Sequence, residues 1–266
     1  MIAAAAALWL APLAVALAAR TATSEEGALI PLILVTGGVT LWRELRRRHD
    51  RARGRLGRVL ALLAVAAAAF ALGRLLTLVT LMALGGWLGL IALLYDRYGG
   101  AALRRLALPL GYLLFAMPLP YLLAGPLTQA LRLWLSSAAI ALVGAGGFDV
   151  AVSGNALFID QYELEMAAAC TGANSLLSLT ATMWLYTYWR RGSDWRRLAL
   201  IVVLALPIAF VANLLRIVAL LLFVHLLGAR VLATALHPAA GLASFAIALA
   251  LVMALDGWLG REWRGG

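Results

Sequence analysis

The sequence predicts an all-α polytopic membrane protein: about eight transmembrane helices, an amphipathic interfacial helix and a short extracytoplasmic hairpin-like loop. Three observations carry this prediction. The chain is 64% hydrophobic over 266 residues, with a mean hydropathy of +0.95, more than a soluble core of that length needs. Its apolar runs repeatedly reach or approach the ~20 residues that cross a bilayer. Its formal charge of +10 comes wholly from Arg, with no Lys anywhere, and the Arg residues cluster where the apolar runs end. Loops retained in the cytoplasm carry that pattern.

The predicted spans are residues 3–19, 28–42, 59–73, 75–95, 106–123, 167–188, 198–224 and 238–259. The first lacks a basic leading segment and a firm small-residue cleavage site, so it reads as a span and not as a removed signal. The loop 43–58 holds Arg43, Arg46, Arg47, Arg48, Arg51, Arg53, Arg55 and Arg58 and is assigned to the inside. Arg97, Arg104 and Arg105 mark a second inside loop, Arg190, Arg191, Arg196 and Arg197 a third, and Arg261 with Arg264 puts the C-terminus inside. Residues 106–123 then cross outward and 167–188 return, so 127–143 must not cross. Phe115-Ala116-Met117-Pro118-Leu119-Pro120 and Gly125-Pro126 stop helices there. The following segment carries Gln129, Arg132, Ser136 and Ser137 beside Trp134, which suits an interface; a re-entrant dip is the alternative. Residues 144–165 are first Gly-rich and then alternate at Val150, Val152, Leu157 and Ile159, which predicts a short hairpin or extended loop on the outer face. The whole, 1–266, reads as one integral membrane domain with N-terminal helices 1–105 and a catalytic core 106–259. No internal repeat is evident, which weighs against an inverted-repeat transporter.

Three polar residues fall where hydrocarbon is expected. Cys170 opens the span 167–188, which enters from outside. Arg216 is 18 residues into the span 198–224, about 27 Å along a helix that runs from inside to outside. His237 opens the last span, which starts outside. The topology came from the Arg loops alone, yet it brings all three to one depth near the outer face. A thiol at a helix start, beside a cation, is biased toward thiolate. Thr171 and Gly172 follow it, and Gly172 allows close approach. Asn213 is one turn before Arg216 and can orient the guanidinium or donate to an oxyanion. His237 can serve as general acid/base or as an electrostatic partner, and the sequence does not separate those roles.

Each residue also has a plainer reading. A lone Cys in an apolar helix is ordinarily a small hydrophobe. Arg216 can snorkel to the interface, although a mid-helix Arg costs ~2.5–3.5 kcal/mol on insertion scales. His237 can simply cap its helix, and His225 is a competing imidazole. Glu163 and Glu165 read as first-turn partners of the Cys helix dipole. Gly85-Gly86 and the glycines at 144–147 read as packing or turn residues, without phosphate-loop spacing. One Cys and three dispersed His exclude a disulfide and a metal cluster, so no cofactor is expected.

In these motifs the chain resembles the exosortase/archaeosortase family of membrane transpeptidases. The matching features are Ala169-Cys170-Thr171-Gly172, Asn213-x-x-Arg216, and His237 followed by Gly241, with Phe115-Ala116-Met117-Pro118-Leu119-Pro120 upstream. The resemblance covers roughly 105–255 in order and spacing, and the N-terminal spans only in hydropathy. It implies that Cys170 forms an acyl-thioester, that Arg216 is proton donor or oxyanion partner, and that His237 completes a triad. It also implies substrates that are exported proteins ending in a Pro-containing motif, a transmembrane helix and a basic tail, cleaved and passed to an acceptor. A bacterial inner (plasma) membrane location follows, with the site facing the periplasm, membrane lipid as surroundings and no nucleic acid as partner. Many members have Cys-Ser-Gly and then a basic residue, where this chain has Cys170-Thr171-Gly172-Ala173-Asn174; subfamily and signal therefore stay open. The alternative is a non-enzymatic transporter or assembly component of an exopolysaccharide export system, with Arg216 binding an anion.

Overall fold

The structure, a computed structural model, describes residues 15, 17–19, 30–46, 53–118, 121–154, 156–165, 173–192, 194–234 and 236–262. The expected span 3–19 lies largely outside the described residues, as do Cys170, Thr171 and Gly172. The chain divides into two compact units, residues 1–120 and 121–266.

In the first unit, α1 (Ile30–Arg46), α2 (Leu56–Leu75) and α3 (Val79–Arg105) are followed by the short α4 (Ala107–Tyr112) and a 3-10 turn, Leu113–Ala116. Helices α2 and α3 pack at backbone distance. A Cβ on Gly85 would stand 2.7 Å from the Phe70 nitrogen and 2.8 Å from the Ala66 carbonyl oxygen. Leu41, Leu94, Leu106 and Leu110 form a buried cluster beside them, where the Trp87 indole donates to the Leu110 carbonyl at 2.9 Å. Within α3, Gly99 takes φ 71 and ψ −179, a break that a side chain would resist. The expected span 106–123 is shorter than predicted. Its helical part, Ala107–Ala116, ends before Pro118, because Pro118 and Pro120 remove N–H groups that another turn needs.

In the second unit, α5 (Tyr121–Ala145) leads into a three-stranded antiparallel meander of β1 (Val150–Ser153), β2 (Ala156–Ile159) and β3 (Tyr162–Glu165). Helices α6 (Ala173–Arg191), α7 (Trp195–Leu227) and α8 (Leu236–Glu262) follow, with a 3-10 turn, Ala229–Ala233, between the last two. Two details of this unit go beyond the expectation. The segment expected as an interfacial helix is a continuous 25-residue helix whose Leu135, Ala139 and Val143 pack in one cluster with Ile217, Leu221 and Val224 of α7. Helices α5 and α7 also end together, since Phe148 just past α5 meets His225 in the last turn of α7 edge to face at 4.9 Å. So the later turns of α5 pack against the later turns of α7. The hairpin-like loop in turn has a third strand. Glu163 and Glu165, expected in a helix turn, pair with Phe158 and Ala156 across the sheet.

Four of the described helices are long and apolar enough to cross a membrane by length and composition: Leu56–Leu75, Val79–Arg105, Trp195–Leu227 and Ala239–Trp258. The full helices α2, α3, α7 and α8 outrun the predicted spans at their polar ends, because the flanking Arg residues continue the helix instead of opening a loop.

Candidate active site

Helix α7 is the axis of the second unit. Its buried positions Ile201, Ala205 and Ala209 pack with Leu179 and Met183 of α6 and with Ala248 and Val252 of α8. Further along, its buried stripe turns to α5 and the sheet through Ile217, Leu221 and Val224. A four-residue spacing advances the stripe by about 40° per step on a 3.6-residue helix, and Asn213 stands at the handover, 4% exposed. Asn213, Leu179 of α6 and Ser244 of α8 line one small void. Three helices thus meet one turn before Arg216.

Arg216 lies against α8. A Cβ on Gly241 would stand 3.0 Å from the guanidinium carbon and 3.1 and 3.2 Å from its two terminal nitrogens. A glycine here lets the guanidinium settle close on the helix backbone, where a larger residue would push it away. Positions 237 and 241 are four apart, so they share a face of α8 one turn from each other. Arg216 is therefore brought to the turn of α8 that begins at His237. Arg216 also lines a cavity of about 410 Å³ between α7 and α8. Its lining is apolar apart from Ser244, which donates to the Gly241 carbonyl at 2.9 Å, and Arg216, the one charged side chain lining it among the described residues.

The competing imidazole is elsewhere. His225 follows Arg216 by nine residues, which is roughly 13.5 Å further along the helix and about half a turn round it. Its Nδ1 is paired with the Asp160 carboxylate on the turn between β2 and β3. His225 ties the sheet to the end of α7, a role the sequence reading missed. Asp160, at φ 51, was its only signal: a short polar residue able to hold a left-handed turn beside alternating apolar residues.

A second missed feature lies at the other end of the helix pair. Arg197, grouped in the sequence with the topogenic Arg residues, is 6% exposed, and Asp256 of α8 is fully buried. Arg197 Nε donates to Asp256 Oδ1 at 2.8 Å, while Nη2 stands 2.7 Å from that oxygen and donates to the Asp256 carbonyl at 2.6 Å. The lone carboxylate in an otherwise apolar final span was the available signal, because an intramembrane acid needs a partner.

Cys170, Thr171 and Gly172 lie outside the described residues, directly before Ala173, where α6 starts. Of the expected site, the structure brings together Asn213, Arg216 and the helix turn containing His237.

A sequence model of the family described as transmembrane exosortase matches residues 5–254 of this chain. No curated protein and no solved structure matches it significantly.

Proposed function

This chain belongs to the transmembrane exosortase family, and on that premise we propose that it is a membrane cysteine transpeptidase using Cys170, Arg216 and His237. The observation that carries the reading is the contact of Arg216 with Gly241, one turn from His237. A fixed cation in an apolar groove stabilises negative charge far better than it would in water. Acyl transfer develops such charge twice, on the attacking sulfur and then on the carbonyl oxygen. The guanidinium does not give up its proton in proteins, so Arg216 acts as the thiolate and oxyanion partner and His237 as the proton carrier.

Chain reach supports Cys170 as the third member. Leu179 lines the same void as Asn213 and Ser244. Ala173 is six residues earlier, about 9 Å toward the start of α6, and three residues of extended chain span at most about 11 Å. That distance is enough to bring the thiol to the groove at the level of Arg216.

The steps balance without a cofactor. The Cys170 thiolate attacks the scissile carbonyl carbon, the C–N bond breaks, and the leaving amine takes a proton from His237. An acceptor nucleophile then attacks the thioester and gives its proton to His237, and the C–S bond breaks to restore the thiolate. The substrates are exported proteins ending in a Pro-containing motif, a transmembrane helix and a basic tail. The enzyme works in a bacterial inner membrane with its site toward the periplasm.

The test is processing of a model protein bearing such a C-terminal signal by wild type, Cys170→Ser and Cys170→Ala. Loss of processing in both variants, with normal amounts of protein in the membrane, is the expected result. Normal processing in both overturns the cysteine mechanism and favours the transporter reading.

A further inference from the structure

We propose that the buried Arg197–Asp256 pair is the positioning element of the site, fixing the register of α8 along α7 so that Gly241 and the His237 turn arrive at Arg216. The inference rests on the function proposed above, although its register component stands alone.

The geometry does more than neutralise a charge. The guanidinium of Arg197 engages both the carboxylate and the backbone carbonyl of the same residue, Asp256. A side-chain pair alone tolerates sliding through rotamer changes, whereas a bond to the backbone carbonyl fixes where the helix itself lies. The start of α7 is pinned in turn. Asp194 caps it by accepting from the Arg197 backbone nitrogen at 3.1 Å, an ordinary N-cap arrangement.

The apolar stretch between the ion pair and Gly241 specifies register only weakly. Between the ion pair and Gly241, α7 and α8 meet through Ile201, Ala205, Ala209, Ala248 and Val252, all apolar. A helix that is hydrophobic all round has no preferred face in lipid, and small apolar stripes pack acceptably in more than one register. The site is sensitive to register, because even a Cβ at position 241 would stand only 3.0–3.2 Å from the guanidinium of Arg216. A one-residue slide moves α8 by about 1.5 Å and turns it by about 100°, which puts a side chain where Gly241 belongs. Arg197 and Asp256 are thus distant from the chemistry, 19 and 15 residues from Arg216 and Gly241 along their helices, yet they determine whether those two meet.

A purely topogenic role for Arg197 makes a different prediction. Arg190 and Arg196 are exposed and serve that role equally well, and Asp256→Asn changes no Arg. The experiment compares Asp256→Asn, Arg197→Lys, the reciprocal exchange (Arg197→Asp with Asp256→Arg) and Arg196→Gln as control. One readout is processing of the sorting-signal reporter. The other is disulfide formation between Ala212→Cys and Ser244→Cys, two positions lining the same void, in a Cys170→Ser background. Asp256→Asn and Arg197→Lys are expected to lower processing about 10–100-fold, the scale set by ångström misplacement of reacting groups, and to weaken the cross-link. Arg197→Lys keeps the charge and loses the planar fork, so it separates register from folding. The exchange is expected to recover part of both signals, and Arg196→Gln to match wild type. Wild-type processing and cross-linking in Arg197→Lys and Asp256→Asn would overturn the proposal. So would a loss of processing with the cross-link intact. The cross-link reads register whether or not wild type processes the signal, so failure of the functional reading is a separate result.

Discussion

A guanidinium at hydrocarbon depth is costly unless its surroundings are built for it, and Gly241 is the residue that accommodates Arg216. The substitution Gly241→Ala adds one methyl group 3.0–3.2 Å from three guanidinium atoms. The end of a long side chain yields more easily than a helix backbone, so the fold is expected to survive while Arg216 shifts. Processing should fall by about one to two orders of magnitude at unchanged expression, measured as turnover of the reporter per unit of membrane enzyme. Two features of the site were legible in the sequence: an Arg inside an apolar run, and Asn213 one turn before it. The engagement of His225 was not legible, because it depends on which face of α7 meets the sheet. Only the packed structure shows His225 turned away and occupied by Asp160. Asp256 was overlooked for the same reason, since its partner is 59 residues away in sequence.

Four of the predicted spans, 59–73, 75–95, 198–224 and 238–259, were readable from hydropathy and Arg placement, whereas elements decided by packing or turn chemistry were not. The strand β3 has the alternation Tyr162-Glu163-Leu164-Glu165, with Leu164 buried and Glu163 exposed. The acids suggested a helix turn, and cross-strand pairing with β2 prevailed. Helix α5 carries enough polar residues to resemble a surface helix, but its apolar positions 135, 139 and 143 at four-residue spacing find a partner stripe on α7. Gly85 reads correctly as a packing glycine. Its Cβ would collide with the backbone of α2 at Phe70 and Ala66, where no rotamer change can relieve the clash. Gly85→Ala is expected to cost about 1–3 kcal/mol by overpacking, seen as a lower thermal midpoint of the detergent-solubilised protein. Gly38→Ala, with open space around its Cβ, should be silent in the same measurement.

At the scale of the molecule, hydropathy correctly reported a membrane protein, and the ordered motifs pointed to the family that the match over residues 5–254 establishes. The residues proposed to do the work come from distant parts of the second unit, where α6, α7 and α8 pack as neighbours. The central claim is that these residues make an acyl-transfer site with Cys170 as nucleophile. The most direct measurement is peptide mass mapping of the enzyme quenched during turnover of a sorting-signal substrate, with hydroxylamine to release thioesters. Wild type and His225→Ala are predicted to carry a hydroxylamine-sensitive substrate fragment on the Cys170 peptide, and Arg216→Gln to carry little or none. Processing without any adduct at Cys170, or an adduct undiminished by Arg216→Gln, would contradict the account.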